Sequence, residues 1–320
     1  MEPIPEGNGA KYGEHGGKVG RTNIAMHIPV LLQEVLDQLN PQPNEHVIDC
    51  TAGGGGHTLA IAERVAPKGK VLAIDWDPSA ITALEKRIAK IPQGKQRIVL
   101  ANDSYTALSD IVTAKKFGPV HGILLDLGFS SFHLDESERG FAFRKSEQLD
   151  MRYNPKNPMT ASKLLNYQSR GEIEWIFKKY GEERFSRRIA EEIVSTRRTH
   201  PIETTSQLVE IIERSTPASY QRQRLHAATR VFQALRIAVN NELENLESVL
   251  PQARDILEPG GRLVVISFHS LEDRIVKHFL RNDSALIPQT KKPIMAKATE
   301  VEQNPRSRSA KLRSAIKSNQ

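Results

Sequence analysis

The sequence predicts an α/β protein: a doubly wound, mostly parallel sheet with a helical domain inserted into it. Three observations carry that expectation. Strand and helix patterns alternate across residues 47–127. Two of the strands end in an acid, Asp49 and Asp75, and the first acid is followed closely by the run Gly53-Gly54-Gly55-Gly56. The alternation then stops after Asp126 and resumes near residue 262, bracketing a stretch, residues 137–217, with helical periodicity and no convincing strand.

Residues 1–24 hold six glycines and little that could enter a core, which predicts a disordered extension. Val30, Leu31, Val35, Leu36 and Leu39 share one helical face that stops before Pro41. A strand over 47–49, a helix over 58–65 and a strand over 71–74 follow. Asp77 as N-cap with Pro78 at the first helical position opens the next helix. A strand over 98–100, a helix over 107–116 and a strand over 122–127 complete this half. Amphipathic stretches at 172–180 and 185–196 mark helices within the insertion. One long helix is expected over 228–257, closed by Pro259-Gly260-Gly261 before a strand over 262–267. The sheet-forming domain is thus discontinuous, residues 25–136 and 218–320, and the insertion at residues 137–217 is placed to shape a substrate site.

Composition narrows the function classes. With 38% apolar and 26% charged residues, the 320-residue chain can bury a substantial core. No segment is apolar enough to span a bilayer and no apolar leader opens the chain, so a cytoplasmic protein that does not enter membranes is expected. The single cysteine, Cys50, excludes an intramolecular disulfide framework; beside the glycine run, a small buried space-filler is favoured over a nucleophile. No metal is expected, because the histidines show neither H-x-x-x-H nor H-E-x-x-H spacing. Net charge is +7, with four arginines and no acid over residues 220–236 and five basic residues and no acid over 304–317. Such clusters suit a polyanion, and together they tilt the expectation toward nucleic acid.

The glycine run identifies a ligand type. A dinucleotide fingerprint, G-x-G-x-x-G/A, fails in both registers because Thr58 or Leu59 stands at its last position, and no phosphate-cradling G-x-x-x-x-G-K-[ST] exists. The pattern present is D-x-x-x-G-x-G, with Asp49, Gly53 and Gly55. It resembles the first motif of class I S-adenosylmethionine-dependent methyltransferases, a Rossmann-like fold. Ligands in such sheets lie beyond the carboxyl ends of the strands. There Asp75 can accept from a ribose diol, Tyr105 can flank an adenine, Asp103 can accept from its amine, and Asp126 stands where a transferable methyl would point.

Further motifs sharpen the resemblance. His27-Ile-Pro-Val-Leu-Leu, Gly55-Gly56-His57, Leu124-Leu-Asp-Leu-Gly-Phe-Ser-Ser131, Arg139-Gly-Phe, Leu149-Asp-Met-Arg152, Tyr180-Gly-Glu-Glu-Arg184, Ser267-Phe-His-Ser-Leu-Glu-Asp-Arg274 and Asn304-Pro-Arg-Ser-Arg308 together resemble the bacterial small-subunit ribosomal RNA cytosine-N4 methyltransferases, the methyltransferase H family. The resemblance runs from about residue 26 to residue 315. It implies methylation of a cytosine in the decoding region of 16S rRNA within the small ribosomal subunit, and it allows a homodimer. It also implies cofactor contacts at Gly55, Gly56, His57, Asp75, Tyr105, Asp126 and His133. The family often has Phe where Tyr105 stands, and Ser-Ser-Pro-Gln where this chain reads Ser130-Ser131-Phe132-His133.

The chemistry itself requires positioning. A cytosine amine lone pair is delocalised into the ring, and an acceptor for the amine protons pulls the nitrogen toward a tetrahedral shape. Asp126 is the candidate catalytic acid, facing either the amine or the cofactor. The segments 267–270 and 150–153 are candidates for the base pocket or RNA path. Two alternatives stand beside this reading: a class I methyltransferase acting on protein or DNA, and a ribosome-assembly factor that only binds RNA.

Overall fold

The computed structural model describes residues 29–128, 138–143, 145–221 and 227–319. Helix α1, Leu32–Leu39, leads to β1, His46–Asp49, followed by α2, Gly56–Arg64, and β2, Lys70–Asp75. Next come α3, Pro78–Ile88, the short α4, Gly94–Arg97, and β3, Ile98–Asn102. A 3-10 turn, Tyr105–Ala107, precedes α5, Leu108–Lys115, and β4, Val120–Asp126. The helical stretch holds α6, Ala161–Tyr167, α7, Arg170–Gly181, α8, Ser186–Thr196, α9, Thr205–Ser215, and α10, Ala218–Gln221. Then follow α11, Ala227–Asn240, α12, Glu242–Ile256, β5, Leu257–Ser267, and α13, Ser270–Asn282. The chain closes with β6, Leu286–Pro288, β7, Ile294–Met295, α14, Ala298–Gln303, a 3-10 turn, Pro305–Ser309, and β8, Lys311–Lys317.

The eight-stranded sheet has the order β3-β2-β1-β4-β5-β8-β6, with β7 also pairing β8. Strands β1 to β5 run parallel and β8 runs antiparallel to β5. This is the doubly wound, mostly parallel sheet that the alternation predicts, with every parallel strand directing its carboxyl end to one edge. The first helix obeys its pattern: Val30, Leu31, Val35, Leu36 and Leu39 are all buried. Asp77 caps α3 through a 2.8 Å bond from the Ser79 N–H, with Pro78 behind it. Among the described residues of 138–217 no named strand occurs; Gln148 and Thr204 form an isolated bridge.

Two expectations fail, each for a local reason. The long helix over 228–257 is two helices, because Asn241 adopts a left-handed conformation, φ 51°, between α11 and α12. The Asn240 side chain donates to the carbonyl of Met151 and accepts from the N–H of Tyr153, so the break is anchored by the preceding loop. Second, Pro259-Gly260-Gly261 lies inside β5. Val120 pairs Leu257 but Gly122 pairs Arg262, so these residues are the extra length of a bulge, with Gly260 at φ 79°.

The basic tail over 304–317 divides: Arg306 borders the cavity described below and Arg308 is exposed, both in the 3-10 turn, whereas Lys311, Arg313 and Lys317 fall in β8. There Arg313 is 8% exposed and its Nε donates to Asp273 at 2.7 Å. Lys311 also approaches Asp273, at 3.5 Å, and Lys317 donates to the Leu257 carbonyl at 2.6 Å. Of the 220–236 cluster, Arg236 is a buried ion-pair partner of Glu242, and Arg222 and Arg224 lie outside the described residues.

Two apolar clusters cover the two faces of the sheet, one including Leu72, Ile123 and Leu263, the other Val71, Leu124 and Val264. A third joins α6 to α9 with α11, bringing Leu165, Phe177, Ile189 and Ile212 against Val231 and Leu235. Packing therefore passes from the helical region to the sheet at the Asn241 break. Arg139 ties the two together, donating to the Asp77 carboxylate at 3.0 Å and to the carbonyls of Arg152 and Tyr153.

Candidate active site

Between the carboxyl ends of the parallel strands and α11 lies a cavity of about 760 Å³. Its sheet side follows from the acid-glycine motif. Asp49 is buried and accepts from Thr58 Oγ1 at 2.6 Å and the Thr51 N–H at 3.1 Å, so it joins the end of β1 to the start of α2. Burial pushes its carboxyl above the usual range. Asp75 accepts from the N–H groups of Gly53 and Asp77 at 2.7 and 2.8 Å, and Arg87 donates to the Gly54 carbonyl. These bonds hold the turn beside the cavity. Gly55 sits at φ 80°, and a Cβ there would lie 2.3 Å from Leu84 Cδ1.

Gly53, Gly54, Gly56, His57, Asp75, Tyr105 and Asp126 line the cavity. Gly55 instead faces the core, and its role is to let α2 and α3 approach. Asp103 is exposed, caps Ser104, and is not among the cavity residues. His133, with Phe129 to its N-terminal side, lies outside the described residues. Cys50 borders the cavity, but burial pushes its thiol well above the ordinary range, which removes the thiolate a nucleophile needs. Burial likewise raises the Tyr105 hydroxyl, so it stays protonated.

At the end of β4, the Asp126 N–H donates to Thr51 Oγ1 at 2.7 Å. Its carboxylate lies 3.4 Å from His57 Nε2, an ion-pair separation longer than a well-formed hydrogen bond. Burial works to lower the His57 pKa, but Asp126, and then Asp49, outweigh it and hold it above the ordinary histidine value.

The opposite wall was visible in the sequence only in part, through the segments 150–153 and 267–270. Phe143, Tyr153, Phe232, Gln233, Arg236 and Glu242 come from the helical side, and Phe268, His269 and Glu272 from the end of β5. Glu242 accepts from Arg236 Nε and Nη2 at 2.8 and 2.9 Å and from the Tyr153 hydroxyl at 2.9 Å. Glu272 accepts from the Phe268 N–H at 2.8 Å. Burial works to raise its carboxyl, yet the neighbouring charges of His269 and Arg236 hold it below the usual range. Glu242, His269 and Glu272 offer ligand atoms within 4.8 Å of one another, but Glu242 has both oxygens engaged by Arg236, so the trio forms an ion-paired wall. Of the segments expected here, Met151, Tyr153, Phe268 and His269 line the cavity. Asp150 and Arg152 brace the loop through a 2.7 Å ion pair.

The family model of the MraW methylases matches residues 24–318. The chain belongs to the MraW methylase family. Ribosomal RNA small subunit methyltransferase H of Heliobacterium modesticaldum is 46% identical over 310 residues, covering 91% of this chain and 98% of that protein. The protein of the same description from Trichormus variabilis is 48% identical over 291 residues, covering 91% and 92%. That from Desulfotalea psychrophila is 44% identical over 292 residues, covering 91% and 98%. The family is one of methylases, and the cavity suits a nucleoside cofactor: a carboxylate has roughly four acceptor positions, so the two backbone bonds to Asp75 do not exhaust it for a diol. Among the described residues no helix is long and apolar enough to cross a membrane.

Proposed function

We propose that this methylase modifies the exocyclic N4 amine of a cytosine in the decoding region of 16S rRNA, within the small ribosomal subunit of the cytoplasm. The names of the relatives supply the RNA class. The placement of Asp126 carries the chemistry: a carboxylate on the cavity wall at the end of β4, beside a buried histidine.

In this reading the cofactor supplies an electrophilic methyl group on a sulfonium. Gly56, His57, Asp75 and Tyr105 hold it, with the Gly55 turn and the Gly53-Gly54 backbone behind them; His133 belongs to the same proposed set. Asp126 accepts a hydrogen bond from the amine, directs the nitrogen lone pair, and receives the proton the amine loses. His57 stands 3.4 Å from that carboxylate, on the cavity side of the α2 start. The residues 137–217 serve as the substrate-recognition region. Incubation with labelled cofactor and unmodified small subunits, followed by nucleoside mass analysis, tests the proposal. Label in N4-methylcytidine supports it; label in another base or in protein overturns it.

A further inference from the structure

We infer that the RNA backbone flanking the target base is held by an arginine surface at the junction of α7, α8 and α11, made of Arg184, Arg188 and Arg230. The inference rests on the reading that the substrate is RNA, and it places the electrostatic contact away from Lys311, Arg313 and Lys317, which β8 holds.

Arg184 and Arg188 are exposed, Arg230 is half-buried, and none of the three has a carboxylate within ion-pair distance among the described residues. Arg187, on the same helix, is by contrast paired to Glu191 at 3.0 Å. The Arg184 guanidinium lies 4.3 Å over the Tyr220 ring and 5.0 Å over Phe185, which fixes its plane and leaves its N–H edge for a planar, bidentate partner. Tyr220 is itself held, its hydroxyl donating to Glu183 at 2.7 Å. Arg230 donates to the Glu182 carbonyl at 3.1 Å, and a Cβ on Gly181 would lie 2.6 Å from the Arg230 carbonyl, so α7 and α11 touch closely here.

The surface adjoins the cavity. Gln233, one turn along α11 from Arg230, lines the cavity and donates to the Tyr180 carbonyl at 3.0 Å. Thr229 and Phe232 line it as well. A base that enters the cavity brings its neighbouring phosphates over this rim, where guanidinium groups without counter-charges meet them.

The test uses the full chain and a single-stranded 20-nucleotide RNA of mixed sequence, with affinity measured across salt concentrations. Replacing Arg184, Arg188 and Arg230 with glutamine should make the slope of log affinity against log salt shallower by about two, at roughly 0.7 per phosphate contact for single strands. Arg187→Gln should leave it unchanged. Calorimetric cofactor affinity in each variant verifies the fold, and Arg184→Lys, which keeps the charge, covers the case in which the triple variant misfolds by retaining most of the slope. An unaltered slope in a folded triple variant overturns the inference, as does an equal change in Arg187→Gln or a wild-type protein whose RNA affinity does not respond to salt. Arginine-dependent RNA binding without methyl transfer to cytosine leaves this surface standing and overturns the cytosine reading alone.

Discussion

Asp75 and Asp126 show how residue type and strand position together set a role. Asp75, proposed to hold the ribose, also accepts two backbone bonds that shape the glycine turn. Asp75→Ala should therefore weaken S-adenosylmethionine binding by about 1.5–3 kcal/mol, the cost of losing hydrogen bonds to a charged group. Unchanged calorimetric affinity in the folded variant removes Asp75 from the site. For Asp126, the amide of Asp126→Asn is a weaker acceptor and cannot take a proton. Turnover should fall by about a hundredfold or more while cofactor affinity is largely retained. A parallel collapse of both would make Asp126 a cofactor ligand.

The break between α11 and α12 is the element that turns two packed units into one cavity. It places Arg236 and Glu242 face to face, with Tyr153 on the same carboxylate. Glu242→Ala leaves a buried guanidinium without its counter-charge, and urea denaturation should report a loss of about 3–5 kcal/mol. A loss below 1 kcal/mol would mean that Arg236 finds another partner. The glycine turn carries a similar constraint: Gly55→Ala meets Leu84 Cδ1 in a left-handed conformation, so a destabilisation of about 1–3 kcal/mol is expected from the backbone alone.

Across the whole molecule, acid and base limbs of stability trace to different groups. Glu272 is held below its ordinary pKa, so its contribution is present above about 4.5, the unfolded value, and is lost as pH falls through the folded one. His57 is raised, so its contribution is complete below about 6.5 and is lost as pH rises through the folded value. Glu272→Gln should flatten the acid limb of a denaturation midpoint profile, and His57→Gln the alkaline one. Profiles that stay parallel to wild type would show that neither group is linked to folding.

Strand-helix alternation, the Asp77-Pro78 cap and the acid-glycine spacing were legible because they depend on neighbours a few residues apart: periodicity, capping and turn geometry are local. Asp75 and Asp126 were legible for the same reason, as acids at strand ends that must share one edge of a parallel sheet. Asn240-Asn241 was a usable signal for the helix break, since asparagine tolerates the left-handed conformation, but the continuous apolar pattern over α11 and α12 concealed it. The fate of the arginines was beyond the sequence. Arg313 and Arg236 differ from Arg184 and Arg188 in having Asp273 and Glu242 brought to them, and the wall of Phe232, Gln233 and Glu272 forms only when α11 and the end of β5 meet. Local sequence determines which elements form, whereas the α11–α12 break, ion pairing and desolvation depend on distances between remote residues that only the packed chain sets.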